Sequence, residues 1–303
     1  MLAALPGAAL LGGPSLFAAD AKPNSKVAGV QIGLNVPYSF GNNLMSADEV
    51  LSNCVQIGVS GLELRTQPVE VWLGVPPELI NAKSAVSKGA GASRAEELKK
   101  WRKSVSMDRV KEFRAKYESA GVLIEIVKVD GYFNLSDDEL NYAFTLAKAL
   151  GARAISTEIS HKEADLKRGG KFADDHKMLV GYHGHATTKP EHWEEAFALA
   201  KFNGANVDLG HFVAGNNTSP VPFLKKHFER VTHVHVKDRK FNNGGNTPFG
   251  EGDTPIAEVL RLIRDQKWNI QATIEFEYKV PADSTRMKEL ARAVKFCRDA
   301  LAA

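Results

Sequence analysis

Cysteine is nearly absent: 303 residues carry two, Cys54 and Cys297. Neither belongs to a C-x-x-C pair or lies near histidines that would complete a zinc knuckle, which excludes a cysteine-based metal site and a disulfide scaffold. Both fall in helical-looking stretches, where a free thiol behaves as a small buried hydrophobe, so no bridge between them is expected. An excess of one charge is also missing. The 39 Lys and Arg and 36 Asp and Glu leave a net charge of +3, which gives no support to a nucleic-acid groove and favours a small-molecule partner. The longest apolar stretch, at the N-terminus, is broken by Pro6 and Gly12-Gly13-Pro14, so no stable membrane span is expected. A Gly-rich phosphate loop is absent where a doubly wound sheet would place it, since the first strand ends in Asn35-Val36-Pro37-Tyr38. No Arg cluster stands near the seventh and eighth strands, and a phosphorylated substrate is therefore disfavoured.

What is present starts with the first 21 residues. From Met1 to Ala19 there is no charged side chain, and Ala19-Asp20-Ala21 offers a small-x-small cleavage pattern. Residues 1–21 read as a signal peptide or disordered tail, and the signal reading implies export to the periplasm or beyond the cell.

Beyond Val27 short β-branched runs alternate with longer amphipathic stretches. There are eight: Val30–Asn35, Gly61–Arg65, Val122–Val129, Ala154–Glu158, Met178–His183, Asn206–Leu209, Val231–Val236 and Gln271–Phe276. Continuous apolar runs of this length are the pattern of strands buried on both faces. Helical spacing lies between them, with Ser46 and Ser136 placed as N-caps before acidic first turns and Gly58, Gly121 and Gly151 after helix ends. Eight strand–helix units predict an α/β fold, a (β/α)8 TIM barrel, in a single domain over residues 27–303. A segment at about 67–106 is inserted, and it reads as a lid-like excursion plus an extra helix.

Active sites of such barrels are built where the strands end. The second run carries Glu63, the third Lys128 and Asp130, the fourth Glu158, the fifth His183 and His185, the sixth Asp208 and His211, the seventh His233, His235, Lys237 and Asp238, and the eighth Glu275 and Glu277. Burying so many ionisable groups on one rim requires compensation. A divalent cation (Mn, Zn, Mg or Co) supplies it, since carboxylates and neutral imidazoles suit these ions. The two-residue period of a strand puts His233, His235 and Lys237 on one side, and likewise Glu275 with Glu277 and His183 with His185.

The motifs Asn206-Val-Asp208-Leu-Gly-His211, His233-Val-His235-Val-Lys237-Asp238, Gly250-Glu-Gly-Asp253 and Ile274-Glu275-Phe-Glu277 resemble those of the xylose-isomerase-like TIM barrels, a superfamily of sugar isomerases and epimerases, inosose dehydratases and endonuclease-IV-type repair enzymes. Gly181-Tyr-His183-Gly-His185, with the signal-like start, is most similar to exported members of sugar phosphate isomerase/epimerase type. The resemblance implies metal ligands Asp208, His235 and Glu275. Many relatives place a Glu at the end of the fifth strand, where this chain has His183, so Glu158 is taken as the fourth ligand and His183 as a fifth ligand or a base.

The expected activity is metal-dependent isomerisation or epimerisation of a free sugar or keto-sugar, by proton abstraction next to a carbonyl through an enediolate. Glu158, Glu275, His183, His185 and Lys237 are the catalytic candidates. Glu63, Lys128, His211, His233 and Glu277 are the substrate-binding candidates. For Glu63 an ion pair with Arg65 is slightly preferred, His233 is expected to orient a neighbour, and Lys237-Asp238 could form a simple pair. Trp72 and Phe249 are candidates for stacking on a sugar, or for packing. The same machinery with a hydroxyl β to the abstracted proton gives a lyase or dehydratase. A non-catalytic sugar-binding protein is the reading of another class, and an abasic-site endonuclease is disfavoured by charge and export. Homo-oligomers are compatible with all of these.

Overall fold

The computed structural model describes residues 22–80 and 90–303. The segment read as a signal or tail lies outside the described residues, as does part of the Ser84–Ser93 stretch. Eight parallel strands form the core: β1 (Val30–Val36), β2 (Gly61–Arg65), β3 (Leu123–Lys128), β4 (Ala154–Glu158), β5 (Leu179–His183), β6 (Asn203–Asp208), β7 (Val231–Val236) and β8 (Gln271–Ile274). Each pairs with the next, and β8 pairs with β1 through Ala272 opposite Ile32, so the sheet closes. This is the (β/α)8 barrel read from the sequence. Beneath it, Lys26–Val27 adds an antiparallel two-residue strand against the start of β1, which the periodicity does not signal.

Alternation along the strands separates two environments. Leu34, Leu62, Leu64, Val127, Ile155, Val180, Val207, Val234 and Ile274 are fully buried in the core shared with the helices. Each such side chain contributes about 1.5–3 kcal/mol on burial. The opposite parity supplies Asn35, Glu63, Ser156, Asn206, Asp208, His233, His235 and Thr273, all buried as well. The start of β6, Asn203-Gly204-Ala205, lacks β-branched residues, and its pairing with Val180 on β5 and Val231 on β7 places it in the sheet. That dependence on neighbours explains why the sequence pattern begins three residues late.

Helix starts follow local chemistry. Ser46 with Glu49 and Ser136 with Glu139 form reciprocal capping boxes. Gly151 ends the second of these helices at φ 82°, a conformation open to glycine at no steric cost. Cys54 and Cys297 lie in the helices Ala47–Gln56 and Arg286–Ala302 as buried free thiols, so no bridge forms. The insertion contains the helices Thr66–Trp72, Pro77–Ile80 and Ala90–Ser104. Arg102 ties the last of these to the outer layer through Glu70 at 2.8 Å and Glu139 at 2.9 Å. Trp72 packs edge-on against Phe113 and Phe249 against Phe296, which resolves both aromatics as packing residues. Among the described residues no helix is long and apolar enough to cross a membrane.

Candidate metal centre and active site

Four side chains converge at the carboxyl ends of neighbouring strands. Asp208 closes β6 and divides its oxygens: Oδ1 accepts the His211 amide at 2.7 Å, capping the helix Leu209–Asn216, and Oδ2 turns to Lys237 Nζ at 3.0 Å. His235 of β7 stands beside Asp208 in register. Glu275 follows β8 and accepts a hydrogen bond from Asn35 Nδ2 at 2.8 Å. His183 ends β5. One ligand atom from each of His183, Asp208, His235 and Glu275 lies within 4.8 Å of the others. The separations are 3.5 Å from His183 Nε2 to Asp208 Oδ2, 3.8 Å from His235 Nδ1 to that same oxygen, and 3.4 Å from His235 Nδ1 to Glu275 Oε1.

Two of these atoms, His183 Nε2 and His235 Nδ1, are buried without a hydrogen-bond partner, and Asp208 Oδ2 makes no well-aligned hydrogen bond although Lys237 Nζ stands 3.0 Å away. A buried polar atom left unpaired costs about 1–3 kcal/mol. Two such nitrogens gathered with the Asp208 and Glu275 carboxylates call for a common partner, and a divalent cation bound by two imidazoles and two carboxylates satisfies them. The donor set therefore fits a divalent metal. The sequence reading assigned the fourth place to Glu158. The structure gathers His183 with Asp208, His235 and Glu275, and gathers Glu158 with His183 and His185.

Glu158 instead gathers cations. Its Oε1 accepts from Lys128 Nζ at 2.5 Å, and its Oε2 lies 3.0 Å from His183 Nδ1 and 2.6 Å from His185 Nε2. Burial alone would raise this carboxyl, but the two histidines and Lys128 outweigh it and hold the group well below the usual carboxylate range. In return Glu158 keeps the His185 imidazole charged to higher pH than usual. His185 is more than half exposed at the rim.

On the opposite side stands Lys237. Its ammonium lies 3.0 Å from Asp208, 2.6 Å from Glu275 and 2.8 Å from Glu277. Burial favours the neutral amine, yet these three carboxylates keep it charged. Lys237 does not pair with Asp238, whose carboxylate accepts the amides of Gly250, Gly252 and Thr254 and shapes the following loop. Glu277 also accepts from Tyr38 Oη at 2.6 Å and Asn246 Nδ2 at 3.3 Å. His211 lies 3.1 Å from Lys237 Nζ and 2.6 Å from the Arg239 guanidinium. Burial lowers its imidazole to about 4, and the neutral ring has a single acceptor nitrogen, so it accepts from only one of these two cations.

Two expected substrate contacts lie too deep to be such. Glu63 is fully buried and reaches His235 Nε2 at 2.6 Å and His233 Nε2 at 3.3 Å. Arg65 turns outward to Asp130 at 2.6 Å, so the Glu63–Arg65 pair does not form. His233 is sealed below His235, and burial lowers it to about 4. His235 is pushed up to about 10, since Glu275 and Glu63 outweigh its burial. Lys128 is buried and given over to Glu158. Residues not singled out beforehand are Asn35, Tyr38, Asn206, Arg239 and Asn246. Asn35 and Tyr38 were accessible to the same strand-end rule, since they close β1.

The closed barrel with an ionisable rim at its carboxyl end defines a TIM-barrel protein of enzyme architecture. The chain belongs to the xylose isomerase-like TIM barrel family, whose model matches residues 90–300. Over 135 residues it is 38% identical to an inosose dehydratase of Clostridium botulinum, a match covering 37% of this chain and 45% of that protein. The chain thus spans less than half the length of this curated relative. Among solved structures, a probable 3-DHS dehydratase of Bacillus anthracis aligns with a TM-score of 0.60 at 14% identity, covering 88% of this chain and 98% of that one. A 3-keto-D-glucoside 4-epimerase of E. coli aligns with a TM-score of 0.55 at 13% identity, covering 88% and 100%. At these identities the likeness to the solved structures is one of fold.

Proposed function

We propose that this protein is a divalent-metal-dependent enzyme acting on a free keto-sugar, and that it moves a proton at a carbon next to the carbonyl. The observation that carries this reading is the convergence of two unpartnered buried imidazole nitrogens, from His183 and His235, with the Asp208 and Glu275 carboxylates beside an accessible acid–base rim. A cation held by His183, Asp208, His235 and Glu275 would polarise a carbonyl and stabilise charge developing on its oxygen.

The residues around it divide the remaining work. In an eight-stranded barrel β4 and β8 lie on opposite walls, so Glu158 with His185 faces Glu277 across the mouth. Glu277, partly exposed, accepts the proton from carbon, and the charged His185 donates one. Lys237 stays charged between Asp208, Glu275 and Glu277 and adds fixed positive charge near the oxygen. If His185 returns the proton to the same carbon from the other face, the C–H bond broken is replaced by a new one and the product is an epimer. If it protonates a β-hydroxyl, the C–H and C–O bonds break and water leaves. The names of the relatives, dehydratase and 4-epimerase, correspond to these two outcomes. Export, read from residues 1–21, would expose the enzyme to free sugars rather than phosphorylated ones.

The test is a panel of keto-sugars incubated with metal-loaded protein in deuterated water. Wild type is expected to exchange the α-proton and release product. Glu277→Gln should lose both. His185→Asn should retain exchange and lose product. Absence of α-proton exchange with every keto-sugar in the panel, in protein shown to contain metal, would sink the reading in favour of a non-catalytic sugar-binding role.

A further inference from the structure

Both histidines of the four-residue group are gripped from behind by a carboxylate, on different nitrogens. His235 presents Nδ1 to Asp208 and Glu275 while its Nε2 is 2.6 Å from Glu63. His183 presents Nε2 to Asp208 while its Nδ1 is 3.0 Å from Glu158. We propose that Glu63 and Glu158 are positioning residues that assign the ligating nitrogen of each histidine, making a two-imidazole, two-carboxylate centre that prefers cobalt- and zinc-class ions over magnesium. The proposal rests on the metal reading above and extends it to the choice of ion.

An ionised carboxylate only accepts hydrogen bonds. Facing Glu63, His235 keeps a proton on Nε2, so a metal displaces the proton from Nδ1 and takes that nitrogen as its ligand. Asn206 fits this tautomer once its amide is turned over. Its amide stands 3.0 Å from the same Nε2, and its Oδ1 has no partner. With the amide turned over, that orphan oxygen accepts from Nε2–H, and an amide orientation is an assignment open to such a test. Glu63 is sealed from solvent and on another strand, so it has no route to substrate and reaches the centre through His235, with His233 on its other oxygen. Glu158 is anchored by Lys128 and fixes the proton of His183 on Nδ1 in the same manner. Outer carboxylates of this kind orient the ring and raise the basicity of the ligand, and removing one typically lowers metal affinity about 10–100-fold.

The donor types then decide the ion. Magnesium takes oxygen ligands and keeps its waters, whereas imidazole suits zinc, cobalt and iron. Replacing a carboxylate by His183 at the end of β5 removes a hard, negative donor and adds a borderline one. The preference for transition ions over magnesium should widen accordingly.

Full-length protein stripped by chelator is titrated with Co2+, Zn2+ and Mg2+ by calorimetry, and the cobalt form is recorded by paramagnetic proton NMR. Two solvent-exchangeable, strongly shifted imidazole N–H signals are expected, one from each histidine. Glu63→Gln should displace only one of them and weaken Co2+ binding about 10–100-fold. His183→Glu should abolish the other and lower the Co2+/Mg2+ affinity ratio at least about tenfold. Should Glu63→Gln fail to fold, the wild-type spectrum and His183→Glu decide the matter alone. A single exchangeable signal in wild type, or an unchanged Co2+/Mg2+ ratio in His183→Glu, overturns the proposal. Two signals without α-proton exchange on any sugar would sustain this centre and sink the catalytic reading. Exchange activity with a single signal would do the reverse.

Discussion

Replacing Lys237 by methionine keeps most of the side-chain volume and removes the ammonium. In the wild type that ammonium is within 3.0 Å of Asp208, 2.6 Å of Glu275 and 2.8 Å of Glu277, and the side chain is 2% exposed. Without a bound metal the variant leaves three carboxylates crowded together with only the His235 imidazolium beside Asp208 and Glu275 as counter-charge. Removing one partner of a buried ion pair costs about 3–5 kcal/mol. Glu277 is 22% exposed and can turn toward water, which places the expected loss toward the lower end, about 3 kcal/mol. With an unfolding slope of about 3 kcal/mol per molar urea, the midpoint falls by about 1 M. Metal changes the comparison. A divalent ion at about a thousandfold its Kd adds about 4 kcal/mol to whichever protein binds it, and Lys237→Met binds it more tightly because a like charge beside the ion is gone. The deficit measured in chelator should therefore shrink in saturating Zn2+ or Mn2+. Urea unfolding followed by circular dichroism in both buffers measures this. A midpoint shift below about 0.3 M in chelator, or equal deficits with and without metal, would refute the electrostatic account.

Two further outcomes rest on other parts of the structure. In Gly215→Ala the new methyl would lie within 2.5 Å of the Ala186 carbonyl carbon; backbone cannot yield there, so the usual helical gain of about 1 kcal/mol from Gly to Ala should turn into a loss of about 3 kcal/mol in chemical denaturation, and an unchanged or raised stability would contradict the packing. Glu139 is held below its ordinary pKa because the Ser136 cap and Arg102 outweigh its burial, so its contribution is present above the unfolded carboxylate value and disappears as pH falls through the lower folded one; the stability difference between wild type and Glu139→Gln should be about 1 kcal/mol at neutral pH, begin to shrink below about pH 4.3 and vanish once pH is below the folded value, and a difference that does not shrink on acidification would show that the cap is not its source.

Most of the barrel was legible because strands buried on both faces leave a strong local signature. The capping boxes at Ser46 and Ser136 needed only neighbours three residues away. Partner choice inside the barrel did not yield to the same reading. Glu63 and Arg65 share a strand face, which suggests a pair, but a two-residue step climbs about 6.6 Å along the strand, more than the spacing of about 4.8 Å between adjacent strands. The two charges occupy different layers. Arg65 emerges at the rim and meets Asp130, while Glu63 stays one layer down with His233 and His235. The same arithmetic separates His235 from His233 and places only the former at the centre.

The exchange of roles between Glu158 and His183 has a different origin. The two residues are register partners on β4 and β5, level with each other at the rim. A strand-end rule ranks heights, so it cannot say which of two level neighbours reaches the axis. Electrostatics on the next strand decides it. Lys128 of β3 is buried, and its one ion pair among the described residues is with Glu158. Leaving that ammonium unpaired would cost several kcal/mol, so the Glu158 carboxylate is drawn toward β3 and away from the axis. Its second oxygen then meets His183 Nδ1 and turns Nε2 inward. A carboxylate at the axis and a lysine left alone at 2% exposure are thus alternatives, and the buried lysine selects the arrangement in which histidine stands beside Asp208.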